Sequence, residues 1–170
     1  METDKLFTQI KELFFQRREI LRKKFNRVLP LNETLTDRWE KAKFLGFGEG
    51  TSVYDSTLIL GDVKVGSNTW IGPFCMLDGS GGLTIGNNCS ISTGVQIYSH
   101  DSVKWAITGG EAKYEYAPTI IEDNCYIGPN TIIAKGVVIK KGSVVGANSF
   151  VNKSFGEKVK VAGSPARLIE

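Results

Sequence analysis

From Val53 onward the chain repeats itself every six residues. Aliphatic side chains stand at Val53, Ile59, Val65, Ile71 and Leu77, resume after a slip of two residues at Ile85, Ile91 and Ile97, and return at Ile121, Ile127, Ile133, Ile139, Val145 and Val151. A period of six matches neither the 3.6 of an amphipathic helix nor the 2 of a half-buried strand. An internal repeat of small supersecondary units does account for it.

The other positions of each hexad have physical reasons of their own. Three residues after the aliphatic position stand Asp62, Asn68, Asn88, Gly94, Asn124, Asn130, Gly136, Gly142 and Asn148, residue types that tolerate a positive φ in a tight turn. One position later come Thr57, Val63, Thr69, Cys75, Cys89, Val95, Cys125, Thr131, Val137, Ser143 and Ser149, all small enough for the inside of a corner. Each hexad therefore reads as a short strand and a corner, and three hexads close a triangular coil of 18 residues. Stacked coils pair their strands in parallel and bury one continuous core. The expected fold is an all-β solenoid with four to five coils between residues 53 and 155. All three cysteines fall in the inward corner, where a thiol behaves as a compact hydrophobe, and they read as structural.

Ahead of the repeat lies an arm of different character. Residues 1–29 carry a net charge of +4 and the remainder −1. Leu6, Ile10, Leu13, Phe14, Arg17, Ile20 and Leu21 follow the spacing of an amphipathic α-helix that stops before Pro30. The domains are expected to be a helical arm over 1–45 and a β-helix over 46–170. The arm's apolar face reads as packing on the rest of the protein or on a neighbouring subunit. Weak contact of its basic face with an anionic membrane surface is the second reading. Nucleic acid is not an expected partner, because the remainder is near neutral and holds no recognised module. Apolar residues make up 41% and charged residues 23% of the 170, which excludes a disordered chain. With one histidine and no CxxC pair there is no zinc site to read, and no metal is expected. No signal peptide or transmembrane run is recognised, so the expected compartment is the cytoplasm.

The phrases Ile71-Gly72-Pro73, Ile85-Gly86-Asn87-Asn88, Ile127-Gly128-Pro129-Asn130 and Gly146-Ala147-Asn148-Ser149, with the closing Val161-Ala162-Gly163-Ser164-Pro165-Ala166-Arg167, resemble the hexapeptide-repeat acyltransferases. The resemblance covers residues 45–170 and is closest to the sugar O- and N-acetyltransferases of surface-polysaccharide biosynthesis. It implies a left-handed parallel β-helix. The hand comes from the resemblance alone, since connections between parallel strands are otherwise right-handed in about 98% of cases.

Between Ile97 and Ile121 the hexads fail, with Gly109 and Glu115 at core positions, and residues 99–119 read as an excursion loop. Loops this long inside a regular scaffold carry function more than architecture. This one begins Ser99-His100-Asp101 and holds the chain's single histidine. By the resemblance, His100 corresponds to a catalytic histidine in a Tyr-Ser/Thr-His-Asp stretch. An imidazole of pKa about 6.5 suits the task of taking the acceptor's proton as that group attacks a thioester directly. A backbone N–H would stabilise the oxyanion. Three groups are equal candidates to hold the other ring nitrogen: a backbone carbonyl, Asp78 or Glu115. Asp101, adjacent in sequence, points elsewhere in an extended backbone.

The two-residue slip, Asp78-Gly79-Ser80-Gly81-Gly82, reads either as a wide turn with a capping aspartate or as a bulge where Asp78, Gly79 and Ser80 bind acceptor hydroxyls. Trp70 and Trp105 either stack on a sugar face or pack. The resemblance implies acetyl-CoA as co-substrate, laid along Gly128, Pro129, Ala147, Asn152 and Lys153, with its phosphates near Lys153, Lys158, Lys160 and Arg167. It also implies a homotrimer with sites between subunits and a sugar or nucleotide-sugar acceptor. A xenobiotic or antibiotic O-acetyltransferase and a non-catalytic trimeric scaffold are the rival readings.

Overall fold

The computed structural model describes residues 2–169. The chain forms two compact units, one ending at Asp37 and the other running from Arg38.

In the first unit, helix α1 (Glu2–Phe25) contains the whole amphipathic stripe. Leu6, Ile10, Leu13 and Ile20 are exposed along it, whereas Phe14, Arg17 and Leu21 are half-buried. A short helix α2 (Leu31–Leu35) follows Pro30, and the Arg17 Nε–H donates to the Thr34 carbonyl at 3.0 Å.

The second unit is a parallel β-solenoid of about six turns. Six two- to four-residue strands make its first face: Ser52–Val53, Trp70–Ile71, Ser90–Ile91, Tyr126–Ile127, Val144–Val145 and Lys160–Gly163. All run parallel, with Ala166–Leu168 added antiparallel at the end. Strands Leu58–Val65 and Met76–Ile85 bend through both other faces. The second face is completed by Gln96–Ile97, Ile132–Ile133 and Phe150–Val151. Thr119–Ile121 and Val138–Ile139 complete the third. One coil more than expected is present because Lys160–Gly163 closes a turn beyond residue 155.

The aliphatic column is the core. Thirteen of the fourteen hexad positions are buried, and Ile59 packs against them partly covered. The corners behave as read, with positive φ at Asn68, Asn88, Gly94, Asn124, Asn130, Gly136, Gly142 and Asn148. Asp62 does not take this role, because the preceding Gly61 supplies the positive φ at that corner. Phe74 stands where an Asn would and has φ 59°, so the coil imposes the conformation even on an aromatic residue. The cysteines are buried, each Sγ–H donating to a carbonyl of the following coil: Ser92, Glu122 and Lys140 for Cys75, Cys89 and Cys125. Burial pushes the Cys75 thiol up from its ordinary range.

The domain boundary falls at 37/38 rather than 45/46. The reason is helix α3 (Arg38–Phe44), whose Ala42 joins the core with Phe47 and plugs the first coil. The Lys41 ammonium donates to the carbonyls of Tyr54, Asp55 and Thr57, satisfying acceptors at an otherwise open end.

Asn130 tests the corner argument. Replacing it with Ala, which has no tolerance for φ 55°, is expected to cost about 1 kcal/mol in urea melts, and replacement with Gly less than about 0.5 kcal/mol. Equal losses in the two variants would contradict the left-handed corner as the reason for Asn there.

Candidate active site

The two-residue slip is a bulge. Gly61 pairs with Gly79 and Val63 with Leu83, so Ser80, Gly81 and Gly82 oppose the single residue Asp62. The backbones close tightly on it: a Cβ on Gly79 would lie 2.3 Å from the Asp62 carbonyl oxygen, and one on Gly81 2.3 Å from that of Ser99. Only glycine fits either position. The bulge turns the Asp78 side chain inward.

Asp78 is 0% exposed and fully hydrogen-bonded. Its Oδ1 accepts from the Ser80 N–H (3.0 Å) and hydroxyl (2.6 Å), and its Oδ2 accepts from the Ser99 N–H (3.0 Å). The same Oδ2 lies 2.5 Å from His100 Nδ1. Burial by itself raises a carboxyl pKa, but the Ser80 hydroxyl, the two amides and His100 outweigh it and hold Asp78 well below the usual carboxylate range. An ionised carboxylate can only accept, so Nδ1 carries the proton and the lone pair lies on Nε2. The imidazole is 29% exposed.

Residues 99–119 are not a structureless loop. His100–Asp101 pairs antiparallel with Glu115–Tyr116, placing Tyr116 opposite His100 and Glu115 opposite Asp101. Helix α4 (Val103–Ile107) lies between the strands. The rings of Tyr116 and Tyr114 stack on the imidazole at centroid distances of 5.8 and 6.3 Å, and Trp105 meets Tyr114 edge-on at 5.6 Å. Lys135, on the following coil, donates to Asp101 Oδ2 (2.6 Å) and Glu115 Oε2 (2.9 Å), and Lys104 pairs with Glu115 as well.

Of the three candidate partners of the ring, the structure selects Asp78, since Glu115 is held by two lysines. Asp101 points to Lys135, away from the ring. Asp78 and Gly79, expected to face an acceptor, are instead buried behind the histidine, and Ser80 alone of the three is exposed. Trp105 shares the hairpin with His100. Trp70 lies on the first face, edge-on to Tyr54, and is not brought to the histidine.

The residues expected along a cofactor divide between two edges. Gly128 and Pro129 stack on Gly146 and Ala147 at the edge after the first face, where a Cβ on Gly128 would meet the Ala147 nitrogen at 2.5 Å. Asn152 and Lys153 stand at the edge after the second face, two coils beyond the turn that leads into His100, in register through Tyr98, Ala134 and the strands they follow. Arg167 lies on the antiparallel end strand. Lys135 was missed by sequence reading; its signal is its place two residues after core Ile133, matching Ser99 after Ile97. Among the described residues no helix is long and apolar enough to cross a membrane, and no group of three or more potential ligands could hold a metal.

Residues 118–153 match the family model for the bacterial transferase hexapeptide (six repeats), and residues 62–99 that for the hexapeptide repeat of succinyl-transferase. Both stretches of the solenoid therefore carry hexapeptide repeats. The chain is 32% identical to the carnitine operon protein CaiE of Escherichia coli K12 over 124 residues, 69% of this chain and 63% of that one. The chain spans less than two thirds of the length of the first curated relatives it matches. Among solved structures it is similar to the N-acyltransferase AntD of Bacillus cereus in complex with dTDP and 3-hydroxybutyryl-CoA, with 26% identity, TM-score 0.67 and coverage of 73% and 70% of the two chains. It is also similar to a maltose O-acetyltransferase from Clostridium difficile 630, with 27% identity, TM-score 0.64 and coverage of 94% and 88%.

Because Asp78 is held below its ordinary pKa of about 3.9, its contribution to stability is present above about pH 4 and is lost as the pH falls further. Asp78→Asn is therefore expected to lower the melting temperature at pH 7 by a margin that begins to narrow only below about pH 4 and goes on narrowing as the pH is lowered further. A margin that stays the same throughout the acid range would show that the buried group is not ionised.

Proposed function

We propose that the protein is an acyltransferase that moves an acetyl group from acetyl-CoA to a hydroxyl or amine of a sugar or nucleotide-linked sugar, in the cytoplasm. The observation that carries this reading is the Asp78–His100 pair at the base of the hairpin. A buried, ionised aspartate fixes the Nδ1–H tautomer and leaves Nε2 free to take a proton. The likeness to sugar acyltransferases of both the O- and the N-type supports the substrate class.

The acceptor's oxygen or nitrogen attacks the thioester carbonyl while its proton passes to His100 Nε2. The tetrahedral intermediate then expels the thiolate, which recovers that proton from the imidazolium. Asp78 stabilises the transient positive charge, so one imidazole serves as base and then as acid. The residues present suit a pantetheine arm and its phosphates: the close-packed Gly128–Ala147 edge presents backbone without bulk, and Lys153 and Arg167 are exposed cations.

Within one chain the Gly128–Ala147 edge and the His100 edge are separate corners of the coil. A homotrimer would bring one subunit's histidine against its neighbour's cofactor edge, and the exposed Leu58, Ile132 and Phe150 on the second face supply apolar contact area.

His100→Ala is expected to lower kcat by about 10²–10⁴ while leaving acetyl-CoA binding nearly unchanged, with a modest fall in melting temperature because the buried Asp78 loses its imidazole partner. Turnover above about a tenth of wild type would overturn the base assignment. The acceptor class is tested by assaying nucleotide-linked amino and deoxy sugars beside simple glycosides. Light scattering should give three times 18.7 kDa. Mixing His100→Ala chains with Ala147→Trp chains, which block the cofactor edge, should restore activity through mixed interfaces. A trimer without complementation would place each site within one chain.

A further inference from the structure

The hairpin that carries His100 contains a built-in conflict. Asp101 and Glu115 are directly opposite one another across its two strands. Like charges in that arrangement repel and destabilise the pairing. The hairpin has two residues in each strand, and a two-stranded ribbon is marginal by itself. Yet the position of His100 depends on it, because the cross-strand partner of His100 is Tyr116, whose ring stacks on the imidazole.

Lys135 resolves the conflict from outside the hairpin. It sits at the corner of the next coil, 22% exposed, and one ammonium bridges both carboxylates at 2.6 and 2.9 Å. Lys135 holds Asp101 below its ordinary range, Lys104 and then Lys135 do the same for Glu115, and the two acids hold Lys135 above its own, so all three are charged together. The adjoining Gly136 N–H donates to the Ala117 carbonyl and to the Thr119 hydroxyl at the hairpin's exit, fixing the same corner to the same loop. Lys104 adds a second cation to Glu115 but comes from within the excursion, so it cannot tie the hairpin to the coil.

The geometry points to Lys135 as a positioning residue for the transfer reaction: its ammonium clamps the Asp101–Glu115 strand pair to the coil and so holds the His100 ring in line with Asp78. This rests on the reading of His100 as the base. Asp78 fixes one ring nitrogen, and Lys135 fixes the backbone from which the ring hangs. Neither Asp101 nor Glu115 needs to touch substrate for the clamp to matter.

His100 is the only histidine of the chain, so its ring gives a single, unambiguous ¹⁵N–¹H signal set that reports its surroundings without an activity assay. Lys135→Met is expected to shift and broaden those signals and to lower kcat about tenfold, with KM for acetyl-CoA changed less than about twofold. Lys135→Arg, which keeps the cation, is expected to retain the wild-type ring signals and kcat within about threefold. Wild-type ring signals and kcat in Lys135→Met would overturn the proposal, as would a loss in Lys135→Arg equal to that in Lys135→Met. If Lys135→Met does not fold, Glu115→Gln, which loosens the same clamp from the excursion, must move the ring signals in its place, and unchanged signals there would also overturn it. Should the wild-type protein transfer no acyl group, the reading of His100 as base fails, while the ring signals still decide whether Lys135 positions it.

Discussion

The core of this protein is one side chain wide, and every other feature answers to that constraint. Each side of each coil contributes an aliphatic residue to this column, buried everywhere except at the partly covered Ile59 and stacked on its equivalents above and below. A column this narrow has no room to absorb an irregular residue by repacking, because the backbone closes around it at every corner. Small residues fill the inward corners and Asn or Gly turns the chain at positive φ. Departures from the hexad must therefore be expelled sideways, and both large departures are.

The two expulsions meet at one edge. The Ser80–Gly82 bulge pushes extra backbone out beside Asp78, and one coil later the chain leaves altogether between Ser99 and Pro118. A carboxylate buried at such a point would be costly without partners. Here two amides, a serine hydroxyl and the imidazole satisfy it, and all come from the irregular segments themselves. The regular coil supplies rigidity, and the breaks in it supply polar groups. A histidine–aspartate pair placed at the break gains a fixed support on one side and solvent access on the other.

The excursion is held by charge rather than by apolar burial. Its helix α4 has no buried residue, and its strands are two residues long. Its order therefore depends on the lysine bridge to the coil and on the tyrosines stacked over His100. Trp105 belongs to this aromatic group through Tyr114, whereas Trp70 belongs to another face, a distinction that spacing along the chain does not make.

What could be read from the residues alone was whatever is local within a hexad: the aliphatic period, the Asn and Gly corners, the small inward positions, the slip after Leu77 and the failure of the repeat after Ile97. These follow from rules that act within six residues, so one pass along the chain finds them. The choice of Asp78 over Glu115 as the partner of His100, the burial of Asp78 behind that ring and the bridge from Lys135 were decided only in three dimensions. They join residues 22, 20 and 34 positions apart. Which residues meet at such separations is set by how many residues each coil spends before it closes: 18 from Ser52 to Trp70, 20 from Trp70 to Ser90 and 36 from Ser90 to Tyr126 on the first face. Helix α3 joined the solenoid for the same reason, since whether Ala42 and Phe47 plug a coil depends on the open end that the first coil presents. Stacking register is a sum over all preceding insertions, and only the closed coil shows which side chains that sum brings together.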